Sequence, residues 1–138
     1  MAMMGVIGVA LLAAAASGQV RPDTLVAGCS GGVTGGGGGS AITRAGDLLR
    51  WQQSGPGPAT FVLVGRDTAV ANRVFAALER ARFELTRYQV PSNMTCYLSR
   101  RAGTSSHEVA WALGAPPARI HRIVALFDEV GRVVPAKD

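Results

Sequence analysis

Two histidines, His107 and His121, are the residues of this chain best suited to acid–base or metal chemistry. The stretch that begins with His107-Glu108 starts like the HExxH motif of zinc peptidases, in which two histidines one helical turn apart bind the metal. The second histidine is missing, and the stretch has the pattern of a strand. His121 lies on a predicted helix between Arg119 and Arg122, where a solvent-facing side chain is expected. The sequence therefore predicts no metal site and no cofactor.

Nucleophilic and phosphate-binding motifs also lack essential residues. No serine lies in the GxSxG turn that exposes the nucleophile of α/β-hydrolases. The glycine run over residues 35–39 has neither the lysine nor the hydroxyl residue of a phosphate-binding loop, and it is interpreted as a flexible surface loop. A Ser-His-Asp triad assembles in space, so that alternative stays open. The chain is interpreted as a binding or structural protein and not as an enzyme.

The only two cysteines, Cys29 and Cys96, are expected to form one disulfide. Such a bond closes a loop of roughly 67 residues, and the chain-entropy model assigns it on the order of 4 kcal/mol. The alternative is two free thiols in metal or redox chemistry, but neither cysteine has a CxxC partner or a nearby histidine at ligand spacing. Because Cys29 follows the first predicted strand and Cys96 lies in a later one, these two strands are expected to be neighbours.

The apolar run over residues 1–16 has the length and composition of an export signal, and the small residues that follow suit a signal peptidase. We expect a signal peptide over residues 1–18 and a periplasmic or secreted mature protein. Two alternatives stay open: an uncleaved membrane anchor, or a lipoprotein modified at Cys29, since residues 26–29 resemble a lipobox. A membrane contact is expected only in those two cases.

The remaining chain is long enough for one domain with one modest core. We expect a linker over residues 19–24, a single domain over residues 25–131 and a tail over residues 132–138. The formal net charge is +5, with thirteen arginines and one lysine. No run of basic residues is interleaved with aromatic residues, so a nucleic-acid partner is not expected.

The hydrophobic pattern predicts a small antiparallel sheet of two hairpins plus a leading strand, with two helices packed on one face. The element order is β-β-(β)-α-β-β-α, an α+β fold. The predicted strands cover residues 24–27, 40–44, 48–52, 94–99 and 107–111, and residues 60–64 form either a strand or an extended lead-in to the first helix. The stretch from Ser30 to Gly39 is predicted to be a loop.

Both helices are predicted from the spacing of their apolar residues. Asp67 is suited to cap the first helix, from Thr68 to about Arg82. Pro116-Pro117 opens the second helix, and Gly131 is expected to end it. The predicted buried positions are Val70, Val74, Leu78 and Ala81 in the first helix, and Ile120, Ile123, Val124, Phe127 and Val130 in the second.

Two short motifs carry a resemblance to a known family. Ser30-Gly31-Gly32-Val33-Thr34-Gly35 precedes a strand, and Asn93-Met94-Thr95-Cys96-Tyr97 starts a hairpin that leads into the terminal helix. Between Leu25 and Val130 this order resembles the emfourin-like family of small bacterial proteins. The resemblance implies a sheet with two helices, and it implies inhibition of thermolysin-like metallopeptidases by direct binding.

Two hypotheses about function follow. In the first, the chain is an exported protein-binding module, and a secreted metallopeptidase is the partner that the resemblance implies. Its contact surface is the loop of Ser30, Gly31, Gly32, Val33, Thr34 and Gly35, together with the hairpin turn Ala45-Gly46-Asp47, which is expected to lie beside it. In the second, the chain is a non-enzymatic accessory or structural protein of the cell envelope.

Overall fold

The computed structural model describes residues 21–135. The strands are β1 (Arg21–Gly31), β2 (Gly37–Thr43), β3 (Asp47–Gln53), β4 (Thr60–Arg66), β5 (Met94–Gly103) and β6 (Ser105–Ala112). The helices are α1 (Thr68–Arg80) and α2 (His121–Val133), with short 3₁₀ turns at Phe83–Leu85 and Ala118–Ile120. The predicted signal peptide lies outside the described residues.

All six strands form one antiparallel sheet in the order β4-β3-β2-β1-β5-β6. The predicted α+β class is confirmed, but the element order β-β-(β)-α-β-β-α was one strand short, because four strands precede α1. β1 lies in the middle of the sheet, paired with β2 on one side and β5 on the other. The β1–β5 pairing therefore joins the two halves of the chain.

The main core lies between the sheet and the two helices. Ala71, Val74, Phe75 and Leu78 of α1 and Ile123, Leu126 and Val130 of α2 are buried there against Leu25, Ile42, Leu98 and Val109 of the sheet. The apolar faces predicted for both helices are confirmed, since every predicted position belongs to this core or packs against it. Asp67 caps α1 as predicted, because its Oδ1 accepts a hydrogen bond from the backbone N–H of Val70 at 3.0 Å.

The opposite face of the sheet has a second, smaller apolar cluster around Trp51, whose side chain is buried. The indole lies against Gly28 and Gly39, where a Cβ would overlap the ring, and its Nε1–H donates to the Ala27 carbonyl at 3.1 Å. The Tyr97 ring stacks on it at 6.0 Å between centroids, and the Phe61 ring lies 6.4 Å away on the other side. An aromatic row thus crosses this face from β4 to β5.

Several element boundaries differ from those expected. The first strand runs on from Ala27 to Gly31, and residues 37–39, which were predicted to be loop, belong to β2. Gly131 does not end α2, which continues to Val133. The predicted linker over residues 19–24 overlaps β1, and the predicted tail overlaps the last turn of α2.

The predicted disulfide is confirmed. Cys29 and Cys96 lie directly opposite each other in β1 and β5, with their Cα atoms 4.0 Å apart and their sulfurs bonded. The expectation that these two strands are neighbours is confirmed as well. No helix within residues 21–135 is long and apolar enough to span a membrane.

Candidate protein-binding site at one end of the sheet

Four connections meet at one end of the sheet: residues 32–36, 54–59, 91–93 and 113–117. The strand register places them together, because Gly31 is opposite Met94 and Gly37 is opposite Gln53. The backbone N–H of Leu113 donates to the Met94 carbonyl at 3.0 Å, which brings the fourth connection to the same end. We call this surface the loop end.

The connection over residues 32–36 is a tight, pinned turn. The Gly31 N–H donates to the Gly36 carbonyl at 3.0 Å, and the Gly35 N–H donates to the Gly32 carbonyl at 3.3 Å. The Gly32 N–H donates to the Asn93 carbonyl at 2.6 Å, which ties the turn to the segment before β5. These bonds fix the backbone conformation, so the predicted flexible loop of ten residues is in fact a short ordered turn.

Positive φ angles explain why glycine occupies this turn. Gly31, Gly32 and Gly35 have φ of 120°, 75° and 68°, which side-chain-bearing residues rarely adopt. At Gly31 a Cβ would also overlap the Asn93 carbonyl oxygen, whereas at Gly35 the nearest atoms lie 3.9 Å away. Gly31 is therefore required by close packing as well as by its dihedral angle.

The turn presents one apolar side chain, Val33, which is fully exposed at its tip. Leu113, in the fourth connection of the loop end, is also more than half exposed, at 56 %. None of the residues in the four connections is charged. Interface cores between proteins are depleted in charged residues, so a surface without charge is compatible with protein binding.

The opposite end of the sheet is rich in charge. The Asp23 carboxylate accepts from both Nε and Nη2 of Arg100 at 2.9 Å, and from Nε of Arg44 at 2.9 Å. Glu84 and Glu79 extend this network at 3.2 Å from Arg100 and 3.6 Å from Arg44. Hydrogen bonds from the Arg100 guanidinium hold the pKa of Asp23 below its ordinary value.

The six residues predicted as a contact loop do not all lie in the turn. Gly32, Val33, Thr34 and Gly35 form the exposed turn, but Ser30 and Gly31 are the last residues of β1. The turn Ala45-Gly46-Asp47 does not lie beside them. It follows the far end of β2, a seven-residue strand that spans about 24 Å at 3.4 Å per residue.

Sequence reasoning missed the other three connections of the loop end. The signal that could have found them was the absence of charge from residues 54–59, 91–93 and 113–117. The absence of charge indicates one shared uncharged surface only once the strand order shows that these segments are neighbours.

His107 and Glu108, the pair that begins like a zinc-binding motif, do not lie on one face of the sheet. His107 and Glu108 are adjacent in β6, so their side chains point to opposite faces of the sheet. His107 Nε2 lies 2.9 Å from the Thr86 carbonyl oxygen, and its ring contacts Phe83. Within residues 21–135 no group of three or more His, Cys, Asp or Glu side chains could hold a metal ion. Burial raises the pKa of Tyr97 to about 12, so this phenol is neutral at physiological pH.

A groove of about 580 Å³ lies between α1 and α2. Its floor includes Ala77, Ala81 and Leu126, and arginines line its rim. Its one carboxylate, Glu129, pairs with Arg73 at 3.0 Å and also with Arg132.

No protein family, curated protein or solved structure matches this chain. The loop end must therefore be judged on its geometry and on the residues that form it.

Proposed function

We propose that this chain is an exported protein-binding module that engages its partner through the loop end and inhibits a thermolysin-like metallopeptidase. The observation that carries the proposal is Val33, a fully exposed apolar side chain on a pinned turn within an uncharged surface. An apolar side chain held in water is unfavourable, and its burial in a partner's cleft recovers that free energy.

The rigidity of the turn supports tight binding. Ordering a loop on association opposes binding, and a loop already held in one conformation avoids most of that loss. The backbone bonds at Gly31, Gly32 and Gly35 hold the turn before any partner arrives. The absence of side chains at these glycines also lets a partner's backbone approach closely.

The class of partner and the compartment rest on separate arguments. The resemblance of residues 30–35 and 93–97 to the emfourin-like family supplies the thermolysin-like metallopeptidase as partner. The Cys29–Cys96 disulfide fits an oxidising compartment such as the periplasm or the extracellular space. A secreted peptidase would be encountered in the same compartment.

The test is inhibition of a thermolysin-like metallopeptidase from the same organism by the full-length protein and by Val33→Asp. The charged substitution at the tip of the turn is expected to weaken inhibition by about a hundredfold, because a carboxylate would be buried at the contact. Leu85→Asp is the matched control, since Leu85 is 74 % exposed and lies outside the loop end. It should leave inhibition unchanged.

Val33 is a better test position than Gly32. A Cβ at Gly32 would lie 3.3 Å from the Met94 sulfur at a φ of 75°, so a substitution there disturbs the turn itself. Both aspartate variants should keep the wild-type melting temperature, which separates lost contact from lost fold. If the wild-type protein fails to slow the peptidase at micromolar concentration, the inhibitor proposal is wrong and the envelope accessory role replaces it. Equal inhibition by Val33→Asp and wild type would remove the loop end as the contact surface.

A further inference from the structure

The two edges of the sheet are protected to different degrees. At the β6 edge the Ala110 N–H donates to the Tyr88 carbonyl at 3.0 Å, and the Val90 N–H donates to the Ala110 carbonyl at 3.2 Å. The Gln89 side chain also donates to the Glu108 carbonyl at 2.9 Å. Within residues 21–135, β4 pairs with β3 alone, and its other edge has no strand beside it.

The side chains of β4 are unusual for an open edge. Phe61, Val62 and Leu63 are consecutive and exposed by 41 %, 42 % and 47 %. No residue from Thr60 to Gly65 is charged. Soluble proteins usually protect an open edge with charged residues or proline, because unpaired backbone groups beside apolar side chains recruit another strand.

We propose that two copies of this chain associate through β4, in an antiparallel pairing around a two-fold axis at Val62. In this register Val62 lies opposite Val62 of the second copy. Phe61 lies opposite Leu63 of the second copy, on the other face of the sheet. Side chains alternate along a strand, so both exposed faces become apolar pairs at once. Leu48 pairs with Gly65 and Leu49 pairs with Leu63, so Val64 forms a bulge in β4. This bulge ends the regular part of the strand just beyond Leu63.

The strand fits a second copy of itself better than a charged partner. A two-fold contact needs one self-complementary patch, and the stretch from Phe61 to Leu63 supplies it. Arg50 lies opposite Val62 in β3, so the two copies' Arg50 Cα atoms would be three strand spacings apart, about 14 Å. That separation exceeds the Debye length of about 10 Å at 0.1 M salt, so repulsion between them is screened.

This contact leaves the turn over residues 32–36 open, because β1 and β2 lie two strands or more from β4. Antiparallel pairing points the loop ends of the two copies in opposite directions along the strands, so each can engage a partner. The association is therefore independent of the function proposed above, and it would make the dimer bivalent.

Sedimentation equilibrium of the full-length protein tests the proposal. At about 50 micromolar, wild type is expected to be a dimer, and Val62→Lys is expected to raise the dissociation constant by about tenfold or more. Leu85→Lys is the control: it adds the same charge at an exposed apolar position outside β4 and should stay dimeric. Circular dichroism should be the same for all three proteins.

The register has its own test. Val62→Cys is expected to give a covalent dimer on mild oxidation, whereas Leu85→Cys should not. A monomeric wild type would overturn the proposal, as would a wild-type dimer that Val62→Lys leaves intact, because association would then come from another surface. Failure of Val62→Cys to cross-link within a dimer would overturn the register centred on Val62.

Discussion

At some positions of this protein glycine is required because another group packs against the backbone there. Gly28 and Gly39 lie in neighbouring strands, and the Trp51 indole lies against both. A Cβ at Gly28 would overlap the ring at Cζ2, with the Gly38 carbonyl oxygen only 2.6 Å away. Gly131 is the contrasting case, because a Cβ there has no neighbour within 4 Å and the residue lies inside α2.

The pair Gly28→Ala and Gly131→Ala tests this difference with the same added methyl group. Gly28→Ala is expected to lower the free energy of unfolding by about 1–3 kcal/mol, because the indole must move. Gly131→Ala is expected to raise it by about 0.5–1 kcal/mol, because alanine is the better helix former. Urea unfolding followed by tryptophan fluorescence measures both. Similar effects at the two positions would mean that Trp51 does not depend on the glycines.

Among the individual glycines, those in the turn were predicted well from the sequence and those in the strands were predicted badly. Gly32 and Gly35 were expected in a loop, and their positive φ angles agree. Residues 37–39 were placed in the same loop because glycine is rare in strands. Their strand conformation depends on an aromatic ring from β3 and on pairing with β1, and no local pattern carries that information.

Among the elements, those set by local signals were predicted best. Asp67 at the N-terminus of α1 and the apolar spacing of both helices are short-range features, and both predictions are confirmed. The end of α2 was wrong because Gly131 was taken as a stop signal. The helix continues since Val130 and Val134 are both buried against the core, which stabilises another turn.

Asp23 joins three elements through its carboxylate. It lies in β1 and binds Arg100 of β5 and Arg44 of the turn between β2 and β3. The two guanidinium groups also lie over the Phe75 ring of α1, at 5.6 Å and 4.7 Å from its centroid. No pattern in the sequence indicated this network, because its members are brought together only by the strand order.

Asp23→Asn should therefore destabilise the protein in a pH-dependent way. We expect a loss of about 1–3 kcal/mol at neutral pH, since the mostly buried Arg100 and the half-exposed Arg44 lose their shared partner. The pKa of Asp23 is lowered in the folded state, so its contribution is complete above the ordinary aspartate pKa and is lost as pH falls below about 4. The stability curves of wild type and variant should converge there.

Urea unfolding between neutral and acid pH measures these curves. Asp47→Asn is the control, because Asp47 forms one exposed ion pair with Arg66 and should lose under about 1 kcal/mol. A difference between wild type and Asp23→Asn that persists unchanged into acid would show that the charge of Asp23 is not the cause.

The whole molecule is polarised along its strands. Within residues 21–135, the four connections at one end carry no charge and include the pinned turn with Val33, and the other end contains the ion pairs around Asp23. This arrangement separates the surface proposed for binding from the groups that stabilise the fold. The residue types were visible in the sequence, but their division between two ends follows from the order β4-β3-β2-β1-β5-β6, which depends on long-range pairings.

The disulfide lies within the strand pairing that joins the two halves of the described sheet. β1 and β5 join the four-stranded N-terminal part of the sheet to the β5–β6 hairpin, and Cys29–Cys96 lies within that ladder. Its residues are 67 apart in sequence, so it restricts the unfolded chain strongly. We expect the double variant Cys29→Ala, Cys96→Ala to lose about 2–4 kcal/mol.

Reduction of the wild-type disulfide should reproduce the effect of the double variant. Wild type in reductant should show the same loss in urea unfolding as the double variant, and reductant should have no further effect on the variant. Amide hydrogen exchange should quicken most in β5 and β6, because the hairpin loses its covalent tie to β1. If the double variant is as stable as oxidised wild type, the β1–β5 ladder holds the two halves without the bond, and the sulfurs are dispensable for the fold.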